Sequence, residues 1–286
     1  MVVSDLLKEG IQILGNREYS NPQLEARMIL AKLLNVDKSY IYAHDDEEIS
    51  NSIEEEFINI MKIRAKGYPI QYILKEKEFM GLDFYVDQGV LIPRPDTEIL
   101  VEYLIEYINS NHGDEKINVL DLGIGSGAIG LSLAHYCKNI FLYASDISQD
   151  AIRISNINKD RFKLDNVKIL EGDLFEAVEK MEKNFNIIVS NPPYIESKEI
   201  DKLQAEVKDY EPMLALDGGD DGLKYYRDIS KRAKDFLSSK GLLIYEIGYN
   251  QGKEVSEIMR KEDYKEIQVL KDLQALDRIV LGRWGV

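Results

Sequence analysis

"VLDLGIGSGAIG", residues 119–130, reads as a buried strand that runs into a glycine-rich turn and then a helix. Gly123, Gly125 and Gly127 let the backbone turn tightly and let a ligand approach where a Cβ would stand in the way. Two ligand classes fit such a turn. Gly125, Gly127 and Gly130 satisfy the G-x-G-x-x-G spacing of dinucleotide folds, and a bare glycine turn with no ligand is the bland alternative. Asp121 separates the ligand readings, because a carboxylate at the end of this strand sits badly beside a pyrophosphate. It suits a molecule carrying an ammonium and a sulfonium, as S-adenosylmethionine does.

Outward from this turn, apolar strands alternate with helical segments. The strands are expected at 117–122, 140–145, 167–170, 185–190 and 241–247, with a final pair at 264–270 and 277–283. Helices are expected at 127–138, 148–159, 222–238 and 250–260. This alternation predicts an α/β fold, a doubly wound and largely parallel sheet covered by helices on both faces. Ligands of such sheets bind beyond the C-terminal ends of the strands. Acids stand at two more of those ends. Asp146 closes the strand in "LYASDIS", placed to accept hydrogen bonds from ribose hydroxyls, and Asp173 in "EGDLF" is placed to accept from an adenine amine while Leu174 packs on the ring. Each acid alone is an ordinary turn or cap residue; three at the ends of three successive strands predict an adenosine site.

The next strand ends in "SNPPYI", residues 190–195. The Asn191 side-chain oxygen and the Pro192 carbonyl form a pair of acceptors that can hold both N–H bonds of a flat NH₂ group. Pro192 and Pro193 stiffen the turn, and Tyr194 can stack on the planar group. This predicts methyl transfer to a delocalised nitrogen, driven chiefly by in-line positioning. Asn191 would then touch donor and acceptor alike.

Residues 1–76 read as helices only, a bundle suited to packing or to docking a substrate. Leu7, Ile11 and Leu14 share a face, Asn21-Pro22 opens a second helix, and Ser52 with Glu55 forms a capping box for a third that stops at Gly67 and Pro69. Between 77 and 93, apolar runs flank Asp87-Gln88-Gly89 and predict a β-hairpin linker turning there. Residues 94–286 are expected to form the S-adenosylmethionine-dependent methyl-transferring domain.

Composition narrows the function. The 286 residues carry a formal net charge of −15, which argues against a protein built to grip a polyphosphate backbone. Lys231-Arg232-Ala233-Lys234 reads as a solvated helix face. Cys137 is the single cysteine, so no intrachain disulfide can form, and it reads as a core residue. His44, His112 and His135 lack metal-ligand spacing, so no metal site is expected. No run of about 18 apolar residues occurs. A cytoplasmic, monomeric enzyme with no membrane partner is expected.

The sequence resembles the HemK/PrmC-type N5-glutamine methyltransferases that modify peptide chain release factors. The resemblance rests on "PIQYI" at 69–73, "LIPRPDTEIL" at 91–100, the glycine loop, "SNPPYI", "EPMLALDGGDDGLKYYR" at 211–227, "YEIGYNQG" at 245–252 and "DRIVLGR" at 277–283. It implies a class I S-adenosylmethionine-dependent methyltransferase, Rossmann-like, with a seven-stranded sheet behind a helical domain. It further implies that Gly123, Ile124, Gly125, Ser126, Gly127 and Asp146 bind the donor and that Asn191 to Tyr194 hold the glutamine of a Gly-Gly-Gln motif in class-1 release factors. Arg94 to Glu98 would line the same cleft, with Asp96 or Thr97 read alternatively as the cap of the next helix. Family members often carry an aromatic residue where Leu174 stands, so aliphatic packing would replace ring stacking here. N-P-P-Y is shared with enzymes that methylate adenine, so an N6-adenine methyltransferase acting on DNA or RNA is the competing enzyme. A non-catalytic binding module would be expected to have lost Asp121, Asp146 or Asn191.

Overall fold

The computed structural model describes residues 1–15, 20–181 and 184–285. The chain divides into two compact units, one of residues 1–76 with 204–210 and one of 77–203 with 211–286.

The first unit is helical: α1 (Val3–Leu14), α2 (Pro22–Leu34), α3 (Lys38–Ala43), α4 (Asn51–Ala65) and α5 (Ile70–Leu74). Asn21 Oδ1 accepts the Leu24 N–H at 3.1 Å and starts α2, as the Asn-Pro pair predicts. The cap of α4 is Ser50, whose Oγ faces the Ile53 N–H at 3.5 Å, so the helix begins before the expected Ser52. Leu6, Ile29, Leu30, Phe57 and Met61 fill the core between these helices. An ion cluster is buried beside it. Arg64, 2% exposed at its side chain, reaches Glu25 at 2.7 Å and Glu206 at 2.7 Å.

The second unit opens with the hairpin of β1 (Lys77–Phe79) and β2 (Leu82–Phe84). Its turn is Met80-Gly81, both at positive φ (53° and 70°), and not the expected Asp87–Gly89. Two residues at positive φ give a turn whose twist matches the paired strands. Met80 tolerates this strained backbone because its N–H donates to Glu98 Oε1 at 2.7 Å and its carbonyl accepts the Tyr136 hydroxyl at 2.6 Å. Residues 85–93 form no strand.

The elements that follow are α6 (Glu98–His112), β3 (Ile117–Leu122), α7 (Ala128–Tyr136), β4 (Ile140–Asp146), α8 (Gln149–Arg161), β5 (Val167–Glu171) and β6 (Phe185–Ser190). Then come α9 (Ala205–Lys208, in the first unit), α10 (Lys224–Ala233), β7 (Leu237–Glu246), α11 (Gly252–Lys261), β8 (Lys265–Lys271) and β9 (Asp277–Arg283). The seven-stranded sheet has the order β5-β4-β3-β6-β7-β9-β8. β3 to β7 pair in parallel and β9 runs antiparallel between β7 and β8.

Successive side chains on the inner strands enter opposite cores. Ile187 and Val189 join Leu242 and Ile244 in one; Ile188 joins Leu243 and Tyr245 in the other. Burial on both faces explains why these strands read as continuous apolar runs. From β3 the chain winds outward through β4 to β5, then returns to place β6 on the other side of β3. That reversal opens a crevice at the C-terminal ends of β3 and β6, where ligands of such sheets lie.

Candidate active site

A cavity of about 410 Å³ opens at this crevice and is built from the second unit. Asp121, Gly123, Ile124, Gly125, Ser126, Asp146, Asp173, Leu174, Asn191, Pro192 and Pro193 all line it. Of the residues expected from the glycine turn, the strand-end acids and the Asn191–Tyr194 loop, Gly127 and Tyr194 are outside this wall.

Asp121 lies inside the C-terminal end of β3 and is 1% exposed. Its Oδ2 accepts the Gly130 N–H at 3.0 Å, while the buried Oδ1 has no hydrogen-bond partner. Burial pushes the carboxyl up to about 7; the Gly130 N–H opposes this and the nearby Asp146 charge adds to it. Gly130 serves this contact by lacking a side chain, since a Cβ there would stand 2.6 Å from Asp121 Oδ2 and 2.9 Å from Leu142. An orphaned buried carboxylate oxygen in a cavity wall fits a ligand that brings an N–H donor and positive charge.

Asp146 ends β4 beneath the glycine turn. Its Oδ2 accepts the Gly125 N–H at 2.9 Å and its Oδ1 accepts the Ser148 N–H at 2.9 Å. Burial raises its pKa, and these backbone donors hold it down. The carboxylate therefore folds the turn, and each oxygen retains a lone pair for a ligand hydroxyl. Gly125 has φ +55°, the left-handed conformation that lets its N–H point back at Asp146. Leu174 also sits at positive φ (48°), and its carbonyl is tied by the Ser145 hydroxyl at 2.8 Å. Its side chain packs on the core as well as on the cavity.

Past Ser190, Pro192 is buried, while Asn191 and Pro193 are half-buried. The Tyr194 ring packs against the core, and burial pushes its hydroxyl up to about 12. Its backbone anchors the loop, because the Tyr194 carbonyl accepts Gln251 Nε2 at 3.0 Å.

Arg94 and Thr97 line the cavity; Asp96 and Glu98 do not. The expected cap by Asp96 or Thr97 is not formed. Residues 95–97 are a 3-10 turn whose Thr97 makes no side-chain cap bond, and Asp96 pairs with Arg278 at 3.0 Å. Arg94 donates to Glu211 at 2.6 Å, and Glu211, 6% exposed, also faces the Ile92 N–H at 3.4 Å. Sequence reasoning gave no role to Pro212, Leu214 or Tyr225, which line the cavity too. They lie in the "EPMLALDGGDDGLKYYR" stretch, quoted above only as a likeness.

The strand order, the glycine turn at its reversal and the acids at successive strand ends define a class I methyltransferase. Residues 5–74 match the PrmC N-terminal domain, and residues 95–218 match the methyltransferase small domain. A Clostridium acetobutylicum protein named release factor glutamine methyltransferase is 44% identical over 286 residues, covering 100% of this chain and 99% of that one. A Clostridium botulinum protein of the same name is 37% identical over 284 residues, covering 99% of each chain. A methyltransferase crystal structure from Pyrococcus furiosus, 17% identical, shares the fold with a TM-score of 0.52 over 72% of this chain and 91% of that one. The chain belongs to the release factor glutamine methyltransferase family.

Proposed function

We propose that the chain transfers a methyl group from S-adenosylmethionine to the side-chain amide nitrogen of glutamine in peptide chain release factors, at the Gly-Gly-Gln motif of class-1 factors. The observation that carries the reaction is the placement of Asn191 to Pro193 in the wall of the same cavity as Asp121, Asp146 and Asp173. The names of relatives similar from end to end support the substrate.

S-adenosylmethionine supplies an electrophilic methyl on a sulfonium sulfur. Asp121 Oδ1 would take the ammonium of its amino-acid end, Asp146 the ribose, and Asp173 with Leu174 the adenine. On the acceptor side, Asn191 Oδ1 and the Pro192 carbonyl each take one N–H of the glutamine amide. That grip orients the weakly nucleophilic nitrogen with its face toward the methyl carbon. As the methyl passes from sulfur to nitrogen, with the N–C bond replacing the C–S bond, the same two oxygens would stabilise the positive charge on nitrogen until a proton leaves. Tyr194, with its ring against the core, fixes the height of the loop. The helical unit of residues 1–76 docks the release factor. No helix among the described residues is long and apolar enough to cross a membrane.

The test is incubation with radiolabelled S-adenosylmethionine and, in parallel, a class-1 release factor, its Gly-Gly-Gln glutamine-to-alanine variant, and adenine-rich DNA and RNA. Label confined to the unmutated factor and mapped to the glutamine amide is the expected result. Label on nucleic acid alone would transfer the substrate to the adenine alternative. For the donor side, Asp146→Ala should weaken S-adenosylmethionine binding about 10–100-fold, the loss of one or two charge-assisted hydrogen bonds. Calorimetry that finds donor affinity unchanged would remove Asp146 from the donor site.

A further inference from the structure

Glu246 is the last residue of β7 and is 1% exposed, yet nothing above gives it a task. Its placement follows from register. Ser190 of β6 pairs with Tyr245 of β7 in parallel, so Asn191 stands level with Glu246. Side chains alternate along each strand. Val189 and Ile244 share one core, Tyr245 and Ile247 lie in the other, and Asn191 and Glu246 therefore project on the face of Val189 and Ile244. Leu100 and Val101 of α6 pack into that same core, which brings Thr97 to the place where β6 and β7 end.

A buried carboxylate is ordinarily kept for an ion pair or for backbone donors. Glu246 does not follow that pattern. The nearby guanidinium, Arg278, is already held by Asp96 and Asp272, each at 3.0 Å. The Tyr226 hydroxyl binds the Glu246 backbone carbonyl at 3.0 Å rather than its side chain. Glu246 Oε2 has no hydrogen-bond partner, and the neighbouring Thr97 and Asn191 side chains favour its ionised form.

We propose that Glu246 is a positioning residue for methyl transfer: its carboxylate accepts an N–H of the Asn191 side-chain amide and so turns Asn191 Oδ1 toward the acceptor nitrogen. An ionised carboxylate can only accept, so the amide must offer it the NH₂ side. The reversed amide would present N–H donors to the N–H bonds of the acceptor, a repulsive arrangement. The rest of the "YEIGYNQG" stretch holds the other end of the loop by the same logic. Gln251 Oε1 accepts the Gly248 N–H at 3.0 Å, which commits Nε2 to the Tyr194 carbonyl at 3.0 Å and the Gly222 carbonyl at 3.3 Å.

The inference predicts an acid limb in turnover. Burial lifts Glu246 to about 7, against the Thr97 and Asn191 hydrogen bonds and the Arg278 charge, with the Asp96 charge pushing further up. The Glu246 charge is also felt by the Tyr194 and Tyr226 hydroxyls, whose pKa values it raises. Below that pH a protonated Glu246 can donate to Asn191 Oδ1 and stabilise the wrong flip, so kcat falls as pH drops through about 7. Asp121 titrates in the same range, but a bound ammonium holds it ionised, so rates read at saturating donor isolate Glu246.

The proposal rests on the methyl-transfer reading above. Glu246→Gln keeps shape and removes the accept-only property. At pH 8 and saturating donor it should lower kcat roughly 10–100-fold, with donor affinity and unfolding midpoint unchanged, and it should abolish the acid limb. In an Asn191→Ala background the same change should cost less than about twofold, because the two residues act as one unit. The ratio of variant to wild-type rate is read on whichever acceptor the wild type labels, release factor or nucleic acid. Failure of the substrate reading therefore does not disturb the measurement. A Glu246→Gln enzyme with wild-type kcat and an unshifted acid limb would overturn the proposal, as would full additivity with Asn191→Ala. A loss confined to donor affinity or stability would do the same.

Discussion

Asn191→Ala should cut turnover on the order of 10²–10³-fold, the usual cost of removing one preorganised group from a transition-state clamp. Donor affinity should stay within about twofold, because the Asn191 oxygen finds its partner in the acceptor amide. Asn191 lines the cavity beyond β6, whereas the glycine turn and the acids proposed to hold the donor lie at and past the ends of β3, β4 and β5. With one N–H of the glutamine amide unheld, the nitrogen rotates away from the in-line path, so the loss belongs in kcat. Single-turnover rates and donor binding on the same preparation separate the two effects. A donor affinity that collapses in step with turnover would count against the assigned role.

Arg64→Ala should destabilise the helical unit by about 3–5 kcal/mol, the cost of leaving a buried charge without its partner. Arg64 joins Glu25 of α2 to Glu206 of the returning segment, and Glu25 is 9% exposed at its side chain. The alanine variant strips a buried carboxylate of its guanidinium and leaves a hole of its volume. Hydrogen exchange should register the loss in α2, α4 and residues 204–210, with protection in the inner strands of the sheet unchanged. Replacing both partners together, Arg64→Met with Glu25→Leu, should recover much of the loss, since apolar packing of similar volume replaces a buried pair at little net cost. Protection within about 1 kcal/mol of wild type in Arg64→Ala would show that the cluster is a surface-like pair of small worth.

Both experiments probe features that differ in how openly the sequence announces them. The glycine turn, the acids at strand ends and the Asn-Pro-Pro-Tyr loop are local. Their chemistry lies in a few adjacent residues, and a strand followed by a helix tells where each must project. Burial on both faces makes the inner strands continuous apolar runs, so their number and order of appearance were legible as well.

Local reading failed where a partner distant in the chain competes with a nearby one. Asp87-Gln88-Gly89 has better turn chemistry than Met80-Gly81, yet the hairpin turns at the latter, because Glu98 and Tyr136 hold the Met80 backbone. Asp96 looks like a helix cap and is an ion-pair partner of Arg278. Ser52 looks like a cap and yields to Ser50.

The sequence by itself thus determined the doubly wound sheet and the family, and it named the glycine turn, the acids and the Asn191–Pro193 loop that meet at the cavity. The tertiary structure alone decided that residues 204–210 join the helical unit through Arg64, that Tyr194 turns its ring to the core, and that Glu246 stands level with Asn191. The physical reason is range. Strand and turn propensities act over a few neighbours, whereas a buried charge settles wherever the folded chain brings a donor, and strand register sets that place without a mark in the residues between.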